Sequence, residues 1–257
     1  MGAAGKQFVL AVIPARFSST RFPGKMLAPL AGKPLVYHTF RRACEAKLVD
    51  EVLVAADDER IRQALEPLGV PVVMTRVDHP SGTDRIAEVA ASRDASLIVN
   101  VQGDEPLVDP RTIDEAVQAL FDDPDVSMST ARRAITDPRE IEDPNIVKVV
   151  CGQDGRALYF SRHPIPYIRD AALRAEPPVC YWQHIGLYVY RRVFLIQFAQ
   201  WSVTPLEELE KLEQLRVLEH GHSIAVVDTN YRSIGVDTPE DLVRVSGLFA
   251  GAPEGEL

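Results

Sequence analysis

Apolar residues along this chain follow two alternating rhythms. Phe8–Ile13 is a continuous apolar run of strand length that ends at Pro14. A run without polar alternation predicts a strand buried on both faces. From Pro34 to Lys47 the apolar positions Leu35, Val36, Phe40, Ala43 and Cys44 form a helical stripe. The strand rhythm returns at Glu51–Ala56, with Asp57 and Asp58 placed to cap a helix over 59–68. Val70–Met74 then predicts a strand, Ser81–Ala91 a helix, and 96–101 a buried strand. Asp109-Pro110 opens the next helix, with Asp as N-cap and Pro at the first helical position. Strands and helices in strict alternation predict a three-layer α/β fold: a mostly parallel mixed sheet with helices on both faces.

Past about residue 125 the rhythm changes. Val126–Ala131, Ile146–Cys151, Ala157–Phe160, Ile185–Tyr190 and Ser223–Val227 predict strands, with a turn at Gly152-Gln153-Asp154-Gly155. Pro164 to Pro178 holds four prolines and predicts an extended surface excursion. Leu206–His220 and Pro239–Leu248 predict helices, and Ala250–Leu257 a disordered tail. With 257 residues and no internal repeat, a single domain spanning 1–257 is expected.

Composition narrows the partners. At 46% hydrophobic residues and a formal net charge of −9, the chain is globular and unsuited to non-specific binding of nucleic acid or anionic membrane. No run is long enough to insert in a membrane, and no signal peptide is evident, so a cytoplasmic location is expected. Cys44, Cys151 and Cys180 are too few and too scattered for a disulfide framework or a thiolate zinc site.

Charge is nevertheless uneven. Residues 1–44 hold seven Lys or Arg and no Asp or Glu, leaving 21 of the 28 basic residues to face all 37 acidic ones. Arg16, Arg21 and Lys25 lie in the Pro14–Lys25 loop between the first strand and the first helix. That strand–loop–helix placement of cations suits phosphate, although solvated surface cations would give the same composition. Neither Gly-x-x-x-x-Gly-Lys-Ser/Thr nor Gly-x-Gly-x-x-Gly occurs, so the loop holds phosphate in some other way. In parallel sheets ligands bind beyond the strand carboxyl ends, and there the loop meets Gln102-Gly103-Asp104-Glu105-Pro106. Asp104 suits Mg²⁺, which takes one or two carboxylates plus substrate phosphates; it also suits a plain turn. In Gly235-Val236-Asp237-Thr238-Pro239-Glu240-Asp241, Thr238 and Asp241 make a capping box. Asp237 stands outside it, either as a second metal carboxylate or as an alternative cap. His184, near Tyr181 and Trp182, could donate to an anionic substrate. His220 and His222, at a helix end, read as structural.

Several ordered blocks together resemble the 3-deoxy-manno-octulosonate (Kdo) cytidylyltransferase, or CMP-Kdo synthetase, family. They are Pro14-Ala15-Arg16 with Ser19-Thr20-Arg21-Phe22-Pro23-Gly24-Lys25, Asp78-His79-x-Ser81-Gly82-Thr83-Asp84-Arg85, and Asn100 to Pro106. Ala157 to Arg162, His184 to Tyr188, Leu212 to Leu218, and Gly235 to Leu242 follow in order. The resemblance implies a Rossmann-like nucleotidyltransferase fold with a smaller dimerisation and sugar-side subregion at about 135–205, and a homodimer. It implies Mg²⁺-dependent transfer of CMP from CTP to the anomeric hydroxyl of Kdo, releasing pyrophosphate and supplying lipopolysaccharide synthesis. Lys25, Asp104 and Asp237 would be catalytic, with Asp104 and Asp237 holding the metal. Pro14, Ala15, Arg16, Arg21, Lys25, Ser81, Gly82, Arg85 and Gln102 would surround the nucleotide. Gln102, Arg162, His184, Tyr188, Glu213 and Gln214 would hold the sugar. Two positions depart from the pattern: Met26 replaces a common proline, which predicts a slightly looser loop, and His163 replaces a smaller residue. The neighbouring readings are a cytidylyltransferase for 8-amino-Kdo or sialic acid, a glycosyltransferase of related fold, and a non-catalytic nucleotide-binding regulator.

Overall fold

The computed structural model describes residues 7–19, 21–170 and 181–251. Its first strand, β1 (Val9–Ala15), is buried along its whole length. Val9, Ala11 and Ile13 pack into one core, while Leu10 and Val12 pack into a second core on the other face of the sheet. The unbroken apolar run is therefore a strand serving two cores at once. Each fully buried Val, Leu or Ile contributes about 1.5–3 kcal/mol relative to exposure.

A short hairpin, β2 (Pro29–Leu30) and β3 (Lys33–Pro34), turns through Ala31 and Gly32, both at positive φ, before α1 (Leu35–Ala43). Then follow β4 (Glu51–Ala56), α2 (Glu59–Leu65), β5 (Val72–Met74), α3 (Gly82–Ala91), β6 (Leu97–Asn100) and α4 (Pro110–Asp122). Asp58, Ser81 and Asp109 cap these helices, each side chain accepting from a backbone N–H of the first turn. The second half supplies β7 (Met128–Ala134), α5 (Pro138–Glu142), β8 (Lys148–Cys151), β9 (Ala157–Ser161), β10 (Trp182–Arg191) and α6 (Arg192–Phe198). It ends with α7 (Pro205–Glu210), α8 (Gln214–Glu219), β11 (Ile224–Asp228) and α9 (Pro239–Gly251).

One sheet takes strands from both halves, in the order β11-β7-β10-β6-β1-β4-β5, with β8 and β9 extending beside β10. The β6-β1-β4-β5 portion is parallel, and so is the β11–β7 pair. β10 runs antiparallel between the two portions. Helices α1, α2 and α4 cover one face, and α3, α6 and α8 cover the other. This is the three-layer, mostly parallel mixed sheet expected from the sequence.

Several elements differ from expectation. The β2–β3 hairpin and the helices α5 and α6 stand where none was expected. The single helix expected over Leu206–His220 is two, broken at Lys211, whose φ is 53°. The break has a tertiary cause. Ser161 Oγ and the Arg162 backbone N–H donate to the Glu210 carboxylate at 2.6 and 2.9 Å, and the Arg162 guanidinium bonds the Glu210 carbonyl at 2.7 Å. Glu207 and Arg216 form two 2.6 Å hydrogen bonds across the break, folding α7 back on α8. These contacts outweigh the local preference for a continuous helix. The expected proline-rich excursion lies partly, and the tail beyond Gly251 wholly, outside the described residues. Among the described residues no helix is long and apolar enough to cross a membrane.

Candidate functional site

Parallel pairing of β1 with β6 brings the Pro14–Lys25 loop against the Gln102–Pro106 turn. Close approach depends on Gly103: a Cβ there would lie 2.9 Å from the Pro14 carbonyl oxygen and 3.1 Å from Met26 Sδ. The Thr39 hydroxyl donates to the Gly103 carbonyl at 3.0 Å and ties the turn to α1. The loop closes on itself where the Gly24 N–H donates to the Phe17 carbonyl (3.0 Å), with Gly24 at φ 71°. Met26 is buried against Gly103, so it fills the loop base.

Behind the loop stands Asp57. Its Oδ1 accepts from the Phe17 N–H at 2.9 Å, and its Oδ2 from Arg85 Nη2 at 3.2 Å. Arg85 is fully buried and also bonds Thr75 Oγ1 and the Arg76 carbonyl. Arg85, expected to surround the nucleotide, is placed with its guanidinium behind the loop, which it reaches through Asp57. Burial lowers the Arg85 pKa more than Asp57 raises it. Ala15 is likewise buried, leaving its backbone to shape the loop.

The resulting cleft, of about 390 Å³, is lined by Pro14, Arg16, Arg21, Lys25, Gly82, Gln102, Asp104 and Asp237. At its floor Lys25 Nζ donates to Asp104 Oδ2 at 2.6 Å and to Asp237 Oδ1 at 2.8 Å. Arg21 Nη2 donates to Asp237 Oδ2 at 3.0 Å. Burial alone would lower the Lys25 pKa, but the two carboxylates outweigh it and hold the ammonium above its ordinary value. Thr238 and Asp241 form the expected capping box, and Asp237, ahead of it, turns its carboxylate to Lys25. Two carboxylates from separate elements thus converge on one cationic atom. That donor set fits Mg²⁺ when substrate phosphates complete the coordination.

Ser81, next to Gly82 of this cleft, reaches toward a second cavity: its Oγ donates to Asp84 Oδ2 at 2.7 Å and lies 3.1 Å from Glu213 Oε1. Glu213 also accepts from Thr83 Oγ1 at 2.5 Å, and burial raises its pKa. The second cavity, of about 350 Å³, includes Asn145, Gln183, His184, Tyr188, Lys211, Glu213, Gln214 and Ser233 in its walls. Arg162 stands behind it, its guanidinium bonded to the carbonyls of Pro144, Glu210 and Lys211, where it holds the bend that presents Glu213 and Gln214.

His184 is buried, and that burial lowers its pKa to about 3. The Thr130 hydroxyl lies 2.9 Å from His184 Nε2 and donates to the carbonyls of Ile185 or Leu187 at 3.0 and 2.8 Å. The neutral ring carries one N–H, and its Nε2 is paired with the Thr130 hydroxyl, with donor and acceptor set by the tautomer. Of the expected roles of His184, that of a charged donor is disfavoured by this burial; a neutral ring can still donate or accept at Nδ1. Tyr188 OH donates to Gln214 Oε1 at 3.4 Å, and burial followed by the Glu213 charge raises the Tyr188 pKa. Gln214 Nε2 and Gln183 Oε1 are buried without partners among the described residues. Gln183, Asn145, Lys211 and Ser233 were not singled out from the sequence. Neighbouring strand residues face opposite sides, so a period-two reading of β10 would send only one of Gln183 and His184 to the cavity. His220 stacks on Trp201 at 4.0 Å and His222 bonds Ser127, as structural histidines do. His163 bonds its neighbour Pro164 and the Ser161 hydroxyl.

The family model described as cytidylyltransferase matches residues 10–224. A 3-deoxy-manno-octulosonate cytidylyltransferase of Solibacter usitatus is 56% identical over 241 residues, covering 94% of this chain and 94% of the relative. One from Pelobacter propionicus is 52% identical over 248 residues, covering 94% of this chain and 97% of the relative. Among solved structures, a CMP:2-keto-3-deoxy-manno-octonic acid synthetase complexed with CTP superposes with a TM-score of 0.89 at 41% identity. It covers 95% of this chain and 98% of that one. A 4-diphosphocytidyl-2C-methyl-D-erythritol synthase from Anaerococcus prevotii shares the fold, with a TM-score of 0.63 at 14% identity, 95% of this chain and 99% of that chain being covered.

Proposed function

The chain belongs to the 3-deoxy-manno-octulosonate cytidylyltransferase family, and we propose that it transfers CMP from CTP to the anomeric hydroxyl of Kdo. The observation that carries this reading is the pair of unlike cavities linked by the hydrogen bond from Ser81, next to Gly82 of the cleft, to Glu213: a charged cleft of triphosphate chemistry and a polar cavity of sugar chemistry. In the reaction the sugar hydroxyl oxygen bonds to the α-phosphorus of CTP in line. The bond from that phosphorus to the bridging oxygen breaks, pyrophosphate leaves with the electron pair, and the hydroxyl proton is released to solvent.

Arg16, Arg21 and Lys25 bind and orient the triphosphate. Opposite charges about 4 Å apart are worth on the order of 4 kcal/mol at an effective dielectric near 20. Several such contacts that strengthen as charge moves to the leaving group lower the barrier. Asp104 and Asp237 would hold a Mg²⁺, which neutralises phosphate charge when bound. Neutral His184 and Glu213 hydrogen-bond sugar hydroxyls, while Gln214 Nε2 donates. A buried cavity built to satisfy hydroxyls disfavours analogues that leave its polar groups unpaired.

A homodimer formed through residues at about 135–205 is part of the proposal, supported by the exposed apolar side chains of Leu158 and Tyr167 in that segment. So is a cytoplasmic site of action feeding lipopolysaccharide synthesis. The deciding experiment measures pyrophosphate release for a panel of acidic sugars with each of the four nucleoside triphosphates. Release is expected with CTP, Kdo and Mg²⁺ together. A preference for 8-amino-Kdo or sialic acid would move the substrate, and CTP binding without turnover would overturn the enzymatic reading.

A further inference from the structure

Asp237 reaches Lys25 by an unusual route. Its chain leaves β11 at the sheet edge and must pass β7 and β10 to arrive beside the end of β6. That is three strand spacings, about 14 Å, crossed by residues 229–237 without regular secondary structure. An irregular segment has no ladder of its own to hold its course, so its position depends on side-chain and cross-chain bonds. At its start the Thr229 N–H donates to the Arg132 carbonyl at 2.8 Å, and Thr229 Oγ1 meets Thr112 Oγ1 at 2.6 Å. Arg232 bonds Glu140 at 2.8 Å from an exposed position. Three bonds from the middle converge on one residue, Glu105. Its Oε2 accepts from Tyr231 OH at 2.7 Å, its Oε1 accepts from Ser233 Oγ, and Ile234 adds a backbone hydrogen bond. Immediately beyond, the Val236 N–H donates to the Asp104 carbonyl at 2.9 Å.

We propose that Glu105 is a positioning residue for the nucleotide cleft, holding residues 231–236 against the Gly103–Glu105 turn so that Asp237 faces Lys25 and Asp104. Adjacent side chains of one turn then have separate tasks. Asp104 points into the cleft and holds the ammonium, while Glu105 points away and secures the segment that delivers the second carboxylate. All three of Glu105's partners are neutral donors on that segment, and a carboxylate has acceptor capacity for all of them. The Val236 side chain, fully buried with Leu30, Leu35 and Val245, anchors the far end, so the segment is pinned on both sides of Gly235. The inference rests on the CTP-site reading of the cleft, and its test separates the two.

The variants are Glu105→Ala, Glu105→Gln and the double variant Tyr231→Phe/Ser233→Ala, the last removing two donors should Glu105→Ala fail to fold. Amide hydrogen exchange in the protein without substrates reads the segment directly. In Glu105→Ala, residues 231–237 are expected to exchange about tenfold or more faster while β1, β4 and β6 keep their protection. Steady-state kinetics should show kcat/KM for CTP lowered about 10²-fold. Glu105→Gln, which keeps one acceptor oxygen, should restore part of both. Combining Glu105→Ala with Asp237→Asn should be little worse than Asp237→Asn alone, since both act through one carboxylate. Unchanged exchange over 231–237 overturns the proposal. So does faster exchange with wild-type kinetics while Asp237→Asn is impaired. Wild-type kinetics in Asp237→Asn itself would instead count against the reading of the cleft.

Discussion

The two cavities linked through the Ser81–Glu213 hydrogen bond use charge differently. The cleft at the ends of β1 and β6 runs on formal charge: Lys25 is shared by Asp104 and Asp237, with Arg21 on the outer carboxylate oxygen. The cavity beside β10 and the α7–α8 bend holds its key rings uncharged. Burial keeps His184 neutral and Tyr188 protonated, and Gln183 and Gln214 present an acceptor and a donor that have no partner among the described residues. A triphosphate offers high charge and little shape, so strong Coulomb partners suit it. A sugar offers many similar hydroxyls, and neutral groups of fixed donor or acceptor sense distinguish them without the desolvation penalty of a buried charge. The difference teaches that reaction class and sugar choice are separable in this molecule.

The largest effect that would sharpen this contrast is expected from the floor of the charged cleft. Asp104→Asn and Asp237→Asn should each lower kcat about 10²–10³-fold, on the scale of losing one preorganised electrostatic contact. The circular dichroism spectrum should stay that of the wild type. Near-normal turnover in both would break the assignment of charge chemistry to this cleft.

A smaller and more diagnostic effect comes from crossing the two sides. Lys25→Ala should raise KM for CTP about tenfold or more and leave KM for the sugar nearly unchanged; Gln214→Ala should do the reverse. If either variant moved both constants equally, the two cavities would be one energetic unit.

The smallest effect is on stability, and it tests whether the sugar cavity excludes charge. The His184 pKa falls from 6.5 to about 3 on folding. Below pH 6.5 the unfolded chain therefore binds a proton that the folded chain refuses. Stability is full above pH 6.5 and is lost as pH falls toward 3, by about 1.4 kcal/mol per pH unit from this group. Urea unfolding between pH 4 and 7 should show that slope in the wild type and a shallower one in His184→Gln. Equal slopes would mean that His184 titrates freely in the folded protein.

Much of the architecture was legible because its signals are local. The run from Phe8 to Ile13, the caps at Asp58, Ser81 and Asp109, and the capping box at Thr238 each depend on a few consecutive residues. The α7–α8 break was not legible. Leu206–His220 satisfies helical periodicity, and its interruption comes from Arg162, Ser161 and the Glu207–Arg216 pair. Arg85 shows the same limit in the site. Its motif places it beside the nucleotide blocks, while Asp57, Thr75 and Arg76 draw its guanidinium inward. Glu105 stood in view next to Asp104, but nothing nearby in sequence discloses its partners Tyr231 and Ser233, more than a hundred residues away.

By itself the sequence determined the periods of strands and helices, the caps that begin the helices, and the residue types a triphosphate and a hydroxylated acid require. These follow from backbone geometry and side-chain chemistry that act within a turn or a strand. Only the tertiary structure decided that Lys25, Asp104 and Asp237 share one point, 79 and 212 residues apart in the chain from Lys25. It also decided that His184 is uncharged and that Arg85 stands behind the loop. Convergence, burial and protonation state depend on which distant groups exclude water from one another, and no local pattern carries that information.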